Sequence, residues 1–164
     1  MSASRKTVAS LLKTATHSYL LRSGFSCLEE LGIEAWGKRR ADIIAVNLKS
    51  VLVIAEVKSC AADYLGDNKW REYLPKCHKL YFVFTTPTFN KLRDRLKIDL
   101  KGTGAGVLVL NEVTGYLDSK VSAKHRPMMK KVKLHIITRL AWRQGVSKRT
   151  NRRTRIFIPE GASK

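Results

Sequence analysis

Apolar residues recur at three- and four-residue steps over residues 4–23, at Val8, Leu11, Leu12, Ala15, Tyr19 and Leu20. That spacing gathers them on one side of a helix, and Gly24 stands where a C-terminal cap belongs. The pattern then changes to strand. A first strand is predicted near residues 25–34. Ala41–Asn47 (ADIIAVN) and Val51–Lys58 (VLVIAEVK) follow, apolar and β-branched at successive positions. Runs of that kind suit central strands covered on both faces. The short Leu48-Lys49-Ser50 link predicts a hairpin between them.

A polar helix carrying Trp70, Tyr73 and Leu74 comes next, ended by Pro75. Leu80–Phe84 reads as another buried strand. Thr86-Pro87 opens a helix, with a capping side chain before proline at the first position. Gly106–Leu110 and Tyr116–Leu117 read as short strands, and Met128–Trp142 as a cationic helix. The order is α-β-β-β-α-β with additions after it, which predicts an α/β domain with a mixed sheet. A chain of 164 residues suits one domain. Residues 1–144 are expected to form it, and residues 145–164 a basic tail.

Two carboxylates interrupt this apolar pattern. Asp and Glu are depleted in strands, yet Asp42 lies in one apolar strand and Glu56 near the end of the next. Residues i and i+2 of a strand face the same way, so Glu56 and Lys58 share a face and Val57 points into the opposite layer. A hairpin loop centred on Lys49 puts Asp42 directly across from Glu56. Opposed carboxylates repel unless a cation lies between them, and oxygen ligands suit Mg²⁺. Asp42 and Glu56 are thus candidate metal ligands, with the backbone carbonyl of Val57 a further one. A metal held there would lower the pKa of a bound water and polarise a phosphoryl oxygen. Lys58 would orient that water or offset transition-state charge. The bland alternative is a surface Asp and a surface Glu-Lys pair on neighbouring strands.

Charge narrows the partners. The chain carries 32 Lys and Arg against 13 Asp and Glu, a net +19. Residues 120–164 hold 14 of the basic residues and one acid, Glu160. A surface field of that size favours polyanions, DNA first, with RNA left open. The three cysteines, Cys27, Cys60 and Cys77, form no CxxC and no even framework, so neither disulfides nor a zinc knuckle is indicated. No apolar run reaches the ~18–20 residues of a membrane span. The N-terminal segment lacks the apolar core and cleavage site of a signal peptide. The expected setting is the cytoplasm of a bacterium or of a phage-infected host.

The segments RRADIIAV, VLVIAEVKS and DNKWREYLPKCHKLYFV resemble the MmcB-like family of DNA-repair-associated proteins, in the PD-(D/E)xK nuclease superfamily. The matching positions are Arg39, Arg40, Ala41, Asp42, Glu56, Lys58, Ser59, Lys69, Trp70, Glu72, Tyr73, Cys77, Leu80, Tyr81 and Phe82. The resemblance spans residues 5–143. It implies a restriction-endonuclease-like α-β-β-β-α-β core and Mg²⁺-dependent hydrolysis of DNA phosphodiester bonds, with Mn²⁺ as a substitute ion. It also implies a DNA-repair, recombination or phage setting. The alternative within the same resemblance is a nuclease-fold protein that binds nucleic acid without cutting it. A homodimer is one of the assemblies left open.

Many members of that superfamily carry a further acid on the first helix, whereas residues 1–28 here contain none. Glu34, Glu30 or Glu29 would substitute, and a turn near Gly37 favours Glu34 beside Asp42. A polar residue of the helix after the third strand often supports the site, which points to Lys69. Arg39 and Arg40 either hold phosphate or line a solvated turn. Lys130, Lys131, Arg149, Arg152 and Arg153 are candidate phosphate contacts in the basic third. Trp70 either stacks on an extruded base or packs in the core. The histidines show no ligand spacing. Asp63 and Asp67 either support the site or start a helix.

Overall fold

The computed structural model describes residues 4–33 and 40–151, with residues 146–151 described by backbone alone. Helix α1 (Arg5–Arg22) starts at Ser4, whose side chain accepts the Thr7 N–H, and ends at Ser23 with Gly24 at φ +79°. Strands β1 (Ser26–Gly32), β2 (Arg40–Val46) and β3 (Leu52–Val57) follow. The chain continues through α2 (Ala61–Leu65), a 3₁₀ helix (Trp70–Lys76), β4 (Lys79–Thr85) and α3 (Thr86–Asp99). It closes with β5 (Gly106–Leu110), β6 (Leu117–Val121) and α4 (Lys130–Asn151).

The six strands form one mixed sheet in the order β1-β2-β3-β4-β5-β6. β1, β2 and β3 are antiparallel, β3, β4 and β5 parallel, and β6 antiparallel to β5. The predicted mixed α/β sheet is present. Its middle strands read as continuous apolar runs because both faces are covered. On one face α1 supplies Leu12, Ala15 and Leu20 against Ile43, Ala45, Val53, Ala55 and Val83. On the other, Ile44, Ile54, Phe82 and Phe84 meet Tyr64, Trp70, Leu92, Ile136 and Leu140 from α2, the 3₁₀ helix, α3 and α4. No helix among the described residues is long and apolar enough to cross a membrane.

Several boundaries differ from the sequence reading. The polar helix expected before β4 is two pieces. Gly66-Asp67-Asn68 breaks it after Leu65, and the second piece winds as a 3₁₀ helix with Pro75 inside. The cap of α3 is Thr85, whose side chain accepts the Thr88 N–H, one residue earlier than Thr86. Thr86 instead donates its hydroxyl to the Leu110 carbonyl at 2.9 Å. The helix expected over Met128–Trp142 starts at Lys130 and runs through Gly145 to Asn151.

One glycine is fixed by contact. Gly106 pairs with Tyr81 across β4 and β5. A Cβ there would lie 2.5 Å from the Tyr81 ring and 2.6 Å from the Ala123 backbone nitrogen.

Candidate metal and nucleic-acid site

The hairpin positions the two acids. Ile43 pairs with Ala55, Ile44 with Ile54 and Val46 with Leu52, a register centred on Lys49. Continued by one residue, it sets Asp42 opposite Glu56. The ladder stops there. Asn47 donates to the Val51 carbonyl, so by strict alternation Val57 is due to bond with Ala41. Its N–H goes instead to Asp42 Oδ2 at 2.8 Å, and the Asp42 N–H goes to Glu56 Oε1 at 3.3 Å. Side chains thus replace the last rung, and the strands part around two carboxylates.

Both acids are electrostatically strained. Glu56 is only 5% exposed. Burial, then the Asp42 charge, pushes its carboxyl up to about 8, against the pull of Lys58. Burial also raises the Asp42 carboxyl, opposed by the Val57 N–H and Lys58. Lys58 is itself buried, and its Nζ lies 3.7 Å from Glu56 Oε2 and 2.5 Å from Asp67 Oδ2. Asp67 therefore locks Lys58 in place. Asp67 lies in the break between α2 and the 3₁₀ helix rather than at a helix start. Asp63 sits in α2 and accepts from the Ser59 hydroxyl.

A third acid completes the row. The β1–β2 register, Glu29 with Ile43 and Leu31 with Ala41, sets Glu30 opposite Asp42. Glu30 adopts φ +51°, the left-handed region that few non-glycine residues occupy. Its Oε1 accepts from Lys13 Nζ of α1 at 2.6 Å, and Glu29 Oε2 lies 3.5 Å from the same amine. Burial pulls the Lys13 amine down, but the Glu30 hydrogen bond and the charges of Glu30 and Glu29 together outweigh it and leave its pKa raised. The preferred candidate, Glu34, lies outside the described residues. The register expected to bring it beside Asp42 is not the one formed, because β1 pairs four residues further back. A basic residue, Lys13, occupies α1 next to these acids.

The remaining candidates fall in different places. Lys69 is exposed and joins the network through its backbone, donating to Asp67 Oδ1 at 3.0 Å. Arg40 is exposed at the start of β2, where its carbonyl accepts from the Tyr73 hydroxyl at 2.9 Å. Arg39, Arg152 and Arg153 lie outside the described residues, as does the side chain of Arg149. Lys130 and Lys131 are exposed on the first turn of α4. Trp70 is a core residue, edge-on to Phe82 at 5.2 Å. His78 accepts the Leu52 N–H through Nδ1, a structural role. His17 lies between Cys27 Sγ and Glu29 Oε1, each at 3.0 Å.

Among the described residues, no group of three or more His, Cys, Asp or Glu side chains is arranged to hold a metal ion. The available hard donors are the Asp42 and Glu56 carboxylates and the Val57 carbonyl. Burial raises both carboxyls, and the Asp42 charge raises that of Glu56 further, so a cation between them would relieve both. Mg²⁺ characteristically takes one or two carboxylates and fills its shell with water and phosphate oxygens. On that chemistry the pair fits the ion.

The family model described as DNA repair protein MmcB-like matches residues 2–143. No curated protein matches the chain. Among solved structures, the SPO1766 protein of unknown function from Silicibacter pomeroyi aligns with a TM-score of 0.67 at 20% identity. That alignment covers 99% of this chain and 98% of that one, a likeness of fold over the whole length. An XisH family protein from Nostoc punctiforme aligns at 14% identity with a TM-score of 0.47, over 68% and 99% of the two chains. SfsA from Pyrococcus furiosus, solved with Ca²⁺, aligns at 14% identity with a TM-score of 0.40, over 74% and 65%.

Proposed function

The chain belongs to the MmcB-like DNA repair protein family, and from that premise we propose that it is a Mg²⁺-dependent deoxyribonuclease of the PD-(D/E)xK type. The observation that carries this reading is the Asp42–Glu56 pair at the parted end of the β2–β3 ladder, with Lys58 buried beside it. The run α1-β1-β2-β3-α2-β4 is read as the α-β-β-β-α-β core of that superfamily.

Asp42, Glu56 and the Val57 carbonyl would hold the ion. When bound, it supplies Lewis acidity toward a phosphoryl oxygen and an acidified water. Loading requires Glu56 to give up its proton, because the raised carboxyl would otherwise compete with the ion. Lys58 sets its ammonium beside Glu56 and would donate a hydrogen bond to the attacking water or to the phosphate. Asp67 orients that ammonium through its hydrogen bond to Lys58 Nζ. The basic residues of α4, Lys130 and Lys131 among them, would contact phosphates.

A second reading keeps the fold and the binding but not the cleavage. It is favoured by Lys13, a base on α1 where many of the superfamily carry an acid, and by the tight hold of Asp67 on Lys58. Labelled DNA incubated with Mg²⁺ or with EDTA separates the two. Cleavage only with Mg²⁺, abolished in Glu56→Gln, supports the enzyme. Tight binding with no cleavage of single-stranded, duplex or branched DNA supports the second reading.

A further inference from the structure

Helix α4 leaves a groove along the end of β1. His135, Arg139, Trp142 and Arg143 line one wall, and Leu31 and Gly32 the other, around a cavity of about 520 Å³. His135 also lines a second cavity of about 390 Å³, so the two adjoin. Helical spacing explains the wall. Ile136 and Leu140 are buried in the core, and the residues at 135, 139, 142 and 143 follow one another at three- and four-residue steps on the flank beside them.

Three features make this flank unlike an ordinary solvated face. Trp142 is 75% exposed, an unusual position for the largest apolar side chain. The Nε–H of Arg139 is shielded from solvent and has no acceptor among the described residues. Among the described residues, neither cavity is lined by any Asp or Glu. A flat aromatic face beside guanidinium groups, with no carboxylate among the described lining residues, suits a phosphate chain with bases free to stack.

The groove also leads somewhere. Gly32 pairs with Arg40 and Leu31 with Ala41, so the β1 wall of the groove is next along the strands to the positions of Glu30 and Asp42. One strand residue advances about 3.3 Å.

We propose that the α4–β1 groove binds single-stranded DNA, with a base stacked on Trp142 and phosphates held by Arg139 and Arg143, and delivers the strand to the acids. Unpaired bases offer a free π face, whereas a duplex keeps its faces inside its own stack. The delivery clause rests on the nuclease reading; the binding does not.

The test is fluorescence anisotropy of a labelled single-stranded oligonucleotide, and of the same sequence as a blunt duplex, in EDTA so that no cleavage occurs. Trp142→Ala should weaken single-strand binding about ten-fold, the size of one base–aromatic stack. Trp142→Phe should retain most of the affinity, which also shows that the helix still folds. Duplex affinity should change less than two-fold in either variant. An equal loss on both ligands, or no loss on either, overturns the proposal. So does a wild-type dimer in sedimentation that Trp142→Ala dissociates without altering DNA binding, which would make the face an interface between copies. Because the readout is metal-free, a protein that never cleaves DNA would leave this result intact, and failure of the groove would leave the metal site intact.

Discussion

Asp42 and Glu56 each accept a hydrogen bond from the other's strand, Asp42 from the Val57 N–H and Glu56 from the Asp42 N–H. The two carboxylates therefore hold the hairpin end together while repelling each other. That tension has measurable consequences.

Stability without metal should fall as pH rises. The Glu56 carboxyl titrates near 4.5 when unfolded and at about 8 when folded. Between those values the unfolded chain has lost a proton that the folded chain keeps, so the contribution is complete below about pH 4.5 and is lost up to about pH 8. The slope is at most ~1.4 kcal/mol per pH unit for one group. Glu56→Gln should flatten the profile over this range in EDTA. Parallel wild-type and variant profiles by urea unfolding would refute the assignment.

Mg²⁺ affinity should run the other way, stronger at pH 8.5 than at pH 6.5, with release of close to one proton per ion. Calorimetry in buffers of different ionisation enthalpy measures that release. Glu56→Gln and Asp42→Asn should each abolish the binding heat while the circular dichroism spectrum is unchanged.

Lys58→Ala should reduce single-turnover cleavage by ~10²-fold or more, the usual weight of one electrostatic or acid–base group. DNA affinity should stay within a few fold. A loss below about three-fold would assign Lys58 to structure alone.

Deleting residues after Asn151 removes Arg152, Arg153, Arg155 and Lys164 but leaves α4 whole. Phosphate contacts add affinity without reading sequence. If half of these residues touch phosphate, the slope of log K against log salt becomes shallower by about 2 for duplex DNA. An unchanged slope would exclude the segment from binding.

Gly106→Ala should destabilise the fold by about 1–3 kcal/mol, because the new methyl meets the Tyr81 ring and the Ala123 backbone. Tyr81→Ala in the same background should restore nothing, since the backbone contact remains. Thermal unfolding of the single and double variants tests both statements.

The apolar runs made most of the sheet legible before any coordinates. ADIIAVN and VLVIAEVK read as covered strands, and a hairpin centred on Lys49 sets Asp42 opposite Glu56, the register that forms. What sequence could not place was decided by longer-range pairing. The link from β1 to β2 could have turned at several points, and each choice brings a different glutamate to Asp42. The register that forms selects Glu30 in a left-handed conformation that no residue preference announces. The place of Asp67 was left open for a related reason. It looked like a helix start, yet the break at Gly66-Asp67-Asn68 turns its carboxylate toward Lys58, a partner that appears only once β3 is buried.

The order of the strands across the sheet is the order of the strands along the chain. A ribosome-bound chain can therefore add each strand to a partner it has already made, with no gap held open for a later arrival. The hairpin carrying Asp42, Glu56 and Lys58 emerges early, but Ile136 and Leu140 emerge after all six strands. Until α4 docks, the face around Ile44, Ile54 and Leu80 lacks its final cover, and the nascent protein carries a sticky, cationic intermediate. Synthesis should be most vulnerable to aggregation, and most dependent on a chaperone, at that late stage.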